Sequence, residues 1–178
     1  MSDVNSHAVA ADSVAPEGVK EEGIKELGAW ILPISSTASV AVGRYELKYI
    51  EYISTCVSLP GLPAFCEQGF VWRNRFIPAL DIHSLLTRRR LPVTEGEQLA
   101  AIIAYENRLG ELAMGAILLR GVPKLSPVKP SQSVALTELS PELQLLAQAA
   151  FNDENNLYPV LDLRNLFDRT PVDLLSLH

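Results

Sequence analysis

An internal repeat constrains the fold of this chain more than any other feature of its sequence. Residues 77–86 align without gaps on residues 158–167, 81 positions further along. Each copy has an apolar run with proline in second place, then Leu-Asp, one apolar residue, two polar residues and two apolar residues. A repeated strand and short helix predicts two related β-barrel halves. From the sequence alone, chance similarity between two amphipathic units remains the alternative.

Two aspartates occupy the same place in the two copies, Asp81 in the first and Asp162 in the second. Each follows an apolar strand and precedes a short helical pattern, so we predict that both are structural N-caps. Pro78 and Pro159 lie inside the strands. Because proline cannot donate a ladder hydrogen bond, these strands are expected at a sheet edge or beside a bulge. A polar turn upstream of each aspartate predicts a preceding hairpin.

Short β-type runs separated by turn residues fill the rest of the chain, as in an all-β sandwich or barrel. One helix interrupts them, with Ser140 as its N-cap and Pro141 at its first position. The end of this helix is open, because residues 149–151 could also form a strand before a polar turn. The predicted strands are residues 30–34, 39–42, 67–72, 75–80, 99–105, 111–119 and 157–161.

The composition divides the chain into three parts. Residues 1–28 lack aromatic side chains and carry six acidic residues against two lysines, which predicts a disordered acidic tail. Residues 29–168 form the predicted domain, and residues 169–178 a C-terminal tail. The N-terminal tail, residues 1–28, accounts for most of the formal net charge of −6. A nearly neutral body does not favour nucleic acid or an anionic membrane as a partner.

Localisation is predicted from two further absences in the sequence. The longest apolar stretch, residues 112–119, is too short to cross a bilayer, so direct membrane insertion is not expected. The first residues do not resemble a secretory signal. We therefore expect a cytoplasmic protein, in which Cys56 and Cys66 are most simply buried structural residues.

The sequence contains few of the residue combinations that form catalytic sites. His83 is the one histidine inside the predicted domain, which excludes a histidine-based triad or metal site. No glycine-rich loop follows a predicted strand, and no two carboxylates are brought together by spacing. We predict no catalytic residue, metal or cofactor, and a protein that acts by presenting surfaces.

One segment resembles a family signature. Residues 59–65 read Leu-Pro-Gly-Leu-Pro-Ala-Phe, and residues 69–82 read Gly-Phe-Val-Trp-Arg-Asn-Arg-Phe-Ile-Pro-Ala-Leu-Asp-Ile. They resemble CheW-like chemotaxis coupling proteins, in which a Leu-Pro-x-x-Pro turn leads to an apolar strand, an Asn-Leu-Arg-Gly turn and Ile-Pro-Val-Ile-Asp-Leu. Asn74 stands where that family usually has glycine, and residues 116–121 lack the acidic residue common before the second-half glycine.

The resemblance implies a mainly β fold of two SH3-like five-stranded barrel subdomains with a shared apolar core and a few short helices. It also implies a non-enzymatic adaptor that couples the cytoplasmic tip of a chemoreceptor to the regulatory domain of a CheA-type histidine kinase. The output would be chemotaxis or type IV pilus motility. A different class of function, a small-molecule-binding regulatory module with a cleft between the barrels, is the alternative.

The candidate partner-binding residues follow from the same segment. Arg73 lies on a predicted exposed turn, and arginine often contributes much of the energy of an interface. Trp72 is either a core residue or an anchor. Asn74, Arg75 and Arg120 complete the predicted set.

Overall fold

The structure, a computed structural model, describes residues 27–89, 97–169 and 171–176. Most of the predicted acidic tail lies outside these residues, although Leu27 and Gly28 belong to the first strand. Part of the predicted C-terminal tail is the short helix Pro171–Leu175. Within the described residues, no helix has the length and apolar character needed to cross a membrane.

The described residues form twelve strands and four short α-helices, with two 3-10 turns between β9 and α2. In chain order they are β1 Leu27–Pro33, β2 Ser39–Gly43, β3 Leu47–Ile53, β4 Val57–Ser58, β5 Gln68–Trp72, β6 Arg75–Leu80, α1 Ile82–Thr87, β7 Gln98–Glu106, β8 Leu112–Leu118, β9 Lys124–Val128, β10 Ser133–Val134, α2 Pro141–Leu146, β11 Ala147–Asp153, β12 Asn156–Leu161, α3 Leu163–Phe167 and α4 Pro171–Leu175.

The strands form two curled six-stranded sheets of the same design. The first sheet has the order β4-β5-β6-β8-β7-β3, and the second has the order β10-β11-β12-β2-β1-β9. We call them the first and the second unit. The prediction of a mainly β fold with two related units is confirmed. Each sheet has six strands rather than five, because the two-residue strands β4 and β10 add one at an edge.

The second unit is completed by the beginning of the chain. Strands β1 and β2 occupy the places that β7 and β8 occupy in the first unit, while β9 to β12 follow the first unit in sequence. In each unit the second strand of a hairpin pairs with a parallel strand, β6 with β8 in the first unit and β12 with β2 in the second. The two units are therefore interlocked along the chain.

The sequence repeat is also a structural repeat. Gly69 pairs with Pro78 in the first hairpin, and Ala150 pairs with Pro159 at the equivalent place in the second. Each hairpin turns through two residues of positive φ, 48° and 61° in the first and 48° and 66° in the second. Two positive φ values define a type I′ turn, whose twist suits a tight hairpin. Asparagine at the second position, Asn74 and Asn155, tolerates that geometry.

The two aspartates have matching backbone and side-chain contacts. The amide of Asp81 donates to Phe65 O, and that of Asp162 donates to Leu146 O, both at 2.8 Å. The Asp81 carboxylate accepts from the amide of Ser84, and the Asp162 carboxylate from the amide three residues after it. Both therefore occupy the N-cap position, where a carboxylate binds an otherwise unpaired helix N–H.

The predicted edge position of the strand prolines is wrong, because β6 and β12 are internal in their sheets. The alternative, a bulge, occurs beside Pro159, where β11 shifts register between Ala147 and Ala149. The parallel neighbour, however, pairs only from Ala79 in β6 and at Val160 in β12, just after each proline. Pro78 and Pro159 themselves pair with the antiparallel hairpin strand, and the parallel strand on the other side is not paired at these positions. The missing N–H thus costs no ladder hydrogen bond.

Alternate residues of the central strands face two different cores. In β7, Ala101 and Ile103 pack in a core shared by both units, while Ala100 and Ile102 pack inside the first unit. Smaller clusters fill the second unit. Cys56 and Cys66 are free and half-buried beside these cores. The buried side chains of the shared core include Leu32, Ile34, Val40, Val42, Phe65, Leu80, Ile82, Leu85, Ile117, Leu119, Leu146, Leu161, Leu163 and Leu166.

Most predicted elements match the structure, and the misses have local causes. Helix α2 begins after Ser140 as predicted and ends at Leu146, so residues 149–151 belong to strand β11. Strand β3 was not predicted, because its apolar and polar residues do not alternate and most of its side chains are exposed. Strand β9 contains Pro127, which obscures its β character.

Because the shared core joins the units, we expect them to unfold in one transition. Trp30 reports on the second unit and Trp72 on the first. Single-tryptophan variants, Trp30→Phe and Trp72→Phe, should give fluorescence transitions at the same urea concentration once each variant's own stability is taken into account. Ile117→Ala, a substitution in the shared core, should lower the unfolding free energy by about 2–5 kcal/mol. The urea midpoints reported by the two tryptophans should then fall together. A shift seen by only one tryptophan would contradict this expectation.

Candidate functional site

The first hairpin presents Arg73 at its tip in a defined geometry. The guanidinium carbon lies 4.3 Å from the ring centroid of Trp72 and 4.4 Å from that of Tyr49. Arg73 Nη1 also donates a hydrogen bond to the Tyr49 hydroxyl at 3.1 Å. Stacking on two aromatic faces restricts the side chain while leaving it exposed. A partner carboxylate would therefore meet an arginine that is already ordered.

Trp72 supports this arrangement from below. It is half-buried, packs against the core of the first unit, and its Nε1 donates to Glu51 Oε1 at 3.1 Å. Tyr49 lies beside it with the ring centroids 4.7 Å apart. Between the two alternatives left open by the sequence, the geometry favours a core residue that positions Arg73. Strand β3, which supplies Tyr49 and Glu51, was missed from the sequence, and so was this support.

An exposed apolar face adjoins the tip. Val71 and Phe76 are cross-strand partners on the outside of the hairpin and are 66% and 48% exposed. The Phe76 ring lies over Gly69, where a Cβ atom would overlap it. Val57, on the neighbouring strand, is also exposed. Apolar side chains of this kind next to an ordered arginine are typical of protein interfaces. Outward positions in the β5–β6 alternation are the signal that could have identified them.

Asn74 and Arg75 also lie at the tip, whereas Arg120 does not. Asn74 is a turn residue, and Arg75 is exposed at the start of β6. Arg120 follows β8 at the far end of β6, about 20 Å from Arg75 given the rise of an extended strand. The structure therefore brings four of the five predicted residues together and separates the fifth.

Arg120 is part of a partly buried network. Its Nη2 donates to Asp81 Oδ2 at 3.0 Å, its Nη1 donates to Gln98 Oε1 at 2.7 Å, and its amide donates to Pro33 O at 2.8 Å. The Arg120 side chain is 18% exposed. It joins the N-cap of α1 in the first unit to the backbone of β1 in the second. These contacts indicate that Arg120 has a structural role.

The tip of the second hairpin is chemically different. It carries Glu154 at the position equivalent to Arg73 and Asp153 at the position equivalent to Trp72. Asp153 Oδ2 accepts from Ser126 Oγ at 2.9 Å. A cavity of about 530 Å³ beside this tip is lined by both acidic residues and by two lysines, Lys124 and Lys129. Two tips with the same backbone thus present an ordered arginine and a mixed, partly acidic surface.

Two grooves lie where the units meet. One, of about 650 Å³, is lined by residues of both units, including Thr37, Tyr52, His83, Arg120 and Val122. Its arginine is the one already bonded to Asp81 and Gln98. Among the residues described, no group of three or more histidine, cysteine, aspartate or glutamate side chains is arranged to hold a metal ion.

The second groove, of about 590 Å³, lies on the side of α3 and contains perturbed ionisable groups. Burial raises the pKa of the Glu46 carboxyl; the hydrogen bond from the Gly43 amide opposes this, and the charge of Asp162 adds to it. Burial also raises the pKa of the Tyr105 hydroxyl to about 12, with the nearby Asp168 contributing by its charge and a hydrogen bond. Tyr105 is therefore a neutral lining residue at physiological pH.

Comparisons with known proteins identify the fold. No protein-family model matches the sequence, and no curated protein matches it either. The structure is similar to the crystal structure of the scaffolding protein TtCheW from Thermoanaerobacter tengcongensis, with a TM-score of 0.64 and 12% sequence identity. The match covers 82% of this chain and 95% of that chain. At this identity the comparison shows a CheW-like fold, as the family resemblance implied.

The network of Arg120 predicts a stability effect. Arg120→Met leaves the Asp81 carboxylate, on a side chain that is 11% exposed, without its charged partner. We expect a loss of about 3 kcal/mol in unfolding free energy, measured by urea denaturation. Arg75→Met, at an exposed arginine, is the control and should change stability by less than about 0.5 kcal/mol. Equal effects of the two substitutions would show that the ion pair is not stabilising.

Glu46 predicts a pH-dependent effect. Because its pKa is raised in the folded state, the folded protein binds this proton more tightly than the unfolded chain does. The charged form thus lowers stability at neutral pH. This penalty begins to shrink as the pH falls through the raised pKa, and it is gone once the carboxyl is protonated in the unfolded chain as well. Glu46→Gln should therefore raise the melting temperature at neutral pH, with a difference that shrinks in acid. A difference independent of pH would contradict the assignment.

Proposed function

We propose that this chain is a non-catalytic cytoplasmic adaptor that couples the cytoplasmic tip of a chemoreceptor to the regulatory domain of a CheA-type histidine kinase. The observation that carries the proposal is the ordered Arg73 at the tip of the first hairpin, in the segment whose sequence resembles CheW-like proteins. The CheW-like fold agrees with it. A chain that acts by presenting surfaces needs no reactive group.

The architecture suits a protein that holds two others at once. The shared core packs the two units into one body, so a partner bound at one tip has a fixed position relative to a partner at the other. The tips differ in charge, with Arg73 at one and Glu154 at the equivalent place in the other. Different charge at equivalent places favours different partners, because like charges across an interface are unfavourable.

We assign the kinase to the first tip. Arg73, stacked on Tyr49 and Trp72, would pair with a carboxylate of the regulatory domain, while Val71 and Phe76 would pack against its apolar surface. An arginine with neighbouring apolar side chains is the composition found where binding energy concentrates in interfaces. The cytoplasmic tip of the chemoreceptor would then bind to another surface of this chain, so that both partners can be bound at once.

A charge reversal at Arg73 tests this assignment. Arg73→Glu should weaken binding of the CheA-type regulatory domain by about 30-fold, corresponding to about 2 kcal/mol, without lowering the melting temperature. Calorimetric titration of the purified full-length chain measures the affinity. Glu154→Arg, at the equivalent position of the second tip, is the matched control and should leave kinase affinity unchanged.

Three results would count against the proposal. Unchanged affinity of the Arg73→Glu variant would remove this tip from the kinase interface. Equal losses in both variants would show that the kinase interface is not confined to the Arg73 tip. Absence of any binding by the unmodified chain would reject the kinase as its partner.

A further inference from the structure

The repeat allows each residue of the first unit to be compared with its counterpart in the second. Ala116 of β8 pairs with Ala79, and Ala41 of β2 pairs with the equivalent Val160. Strands β8 and β2 therefore correspond, and both end two residues later, at Leu118 and Gly43. Counting on from these ends, the counterpart of Arg120 is Tyr45.

Backbone hydrogen bonds support this correspondence. The amide of Leu119 donates to Leu99 O at 2.8 Å, and the amide of Arg44 donates to Gly28 O at 3.0 Å. Each bond fastens the residue just before the compared position to the neighbouring antiparallel strand. The backbone thus follows the same path in both units as far as Leu119 and Arg44, the residues just before the compared pair.

In the first unit, both oxygens of the N-cap carboxylate are used. Asp81 Oδ1 accepts from the amide of Ser84 at 3.0 Å, and Oδ2 accepts from the guanidinium of Arg120 at 3.0 Å. The carboxylate is therefore capped on one side by the helix and neutralised on the other by arginine. In the first unit, the second oxygen of the N-cap aspartate thus binds a guanidinium group.

In the second unit, only the helix side is used. Asp162 Oδ1 accepts from the amide of Asn165 at 2.9 Å. Within the part of the chain that the structure describes, no basic side chain forms an ion pair with Asp162. Tyr45, the counterpart of Arg120, is 81% exposed. The space at the carboxylate belongs to the groove of about 590 Å³ that Asp162, Glu46 and Tyr45 line.

Neither of the two basic side chains that line this groove, Lys48 and Arg164, forms an ion pair with Asp162. Arg164 is bound to Glu106, with Nη2 donating to Oε1 at 2.8 Å and Nε donating to the backbone oxygen at 3.0 Å. Lys48 also lines the groove, and its side chain is exposed. Glu46 adds a second carboxylate whose charge and that of Asp162 disfavour each other. A cation placed between them would relieve that repulsion.

We infer that the groove lined by Asp162 and Glu46 binds a guanidinium group, which takes the place that Arg120 holds in the first unit. The group would come from the arginine side chain of a partner protein or from a free guanidino compound. The planar donor edge of guanidinium suits a carboxylate whose second oxygen is open. This inference does not depend on the proposed adaptor function, because it concerns a different surface from the Arg73 tip.

Titration of the full-length, isotope-labelled chain tests the inference by amide chemical shifts. The probes are N-acetylarginine amide, which represents a protein side chain, and methylguanidine, which represents a free compound. Both should shift the amides near Glu46 and Asp162 with millimolar affinity, and the tighter probe identifies the source. The neutral N-acetylcitrulline amide has nearly the same shape and should not bind.

Two sets of variants sharpen the test. The double variant Glu46→Gln, Asp162→Asn removes both charges while asparagine still caps α3, and it should weaken binding at least tenfold. Glu111→Gln, at an exposed carboxylate outside the groove, is the control and should bind as before. Tyr45→Arg supplies a guanidinium from within the chain, so it should raise the melting temperature and block both probes.

Several results would overturn the inference. These are equal shifts with the citrulline probe, shifts that persist in the double variant, and no shift in the unmodified chain. Shifts confined to the groove around Arg120 would also reject it. Because Tyr45 is exposed, its substitution keeps the test informative if the double variant fails to fold.

Discussion

The whole structure depends on strands that are buried on both faces. Each central strand, such as β7, places alternate side chains in the core of its own unit and in the core that the units share. Neither unit could lose its partner without exposing one apolar face of several strands. The exchange of β1 and β2 into the second sheet adds a chain connection to this apolar contact. The result is one body with two ends.

The two units share their backbone geometry at the hairpins and helix caps, while their surfaces differ. The turns, the proline register and the N-cap contacts match between the units, since each satisfies a backbone requirement that few residue types meet. Side chains that face solvent are under no such requirement. Arg73 and Glu154 at the exposed tips therefore differ while the turn geometry is the same. At the junction the difference is structural, because Arg120 is partly buried in an ion pair while its counterpart Tyr45 is exposed. This difference in side chains is the source of the chemical difference between the two units.

Much of the fold could be predicted because its signals are local. A proline, a leucine and an aspartate at matched spacing identified the repeat, and Ser140-Pro141 identified the start of α2. Strand β3 escaped prediction because its exposed side chains carry no periodic pattern. For the same reason, the support of Arg73 by Tyr49 and Glu51 was invisible, since those residues come from a strand that precedes the hairpin by more than 20 positions. Arg120 was predicted as a partner-binding residue because nothing near it in sequence indicates an ion pair with Asp81.

The sequence by itself determined the two-unit β architecture, the hairpins and the helix caps, because backbone hydrogen bonding and apolar alternation act between residues close along the chain. Only the tertiary structure decided which strands complete which sheet, how Arg73 is held, and which N-cap aspartate is neutralised. Those outcomes depend on contacts between distant segments, such as Arg120 with Asp81 and the absence of an equivalent side chain, within the described residues, at Asp162. Two sequence motifs of the same pattern thus acquire different electrostatic surroundings, because the neighbouring strand that reaches each of them is different.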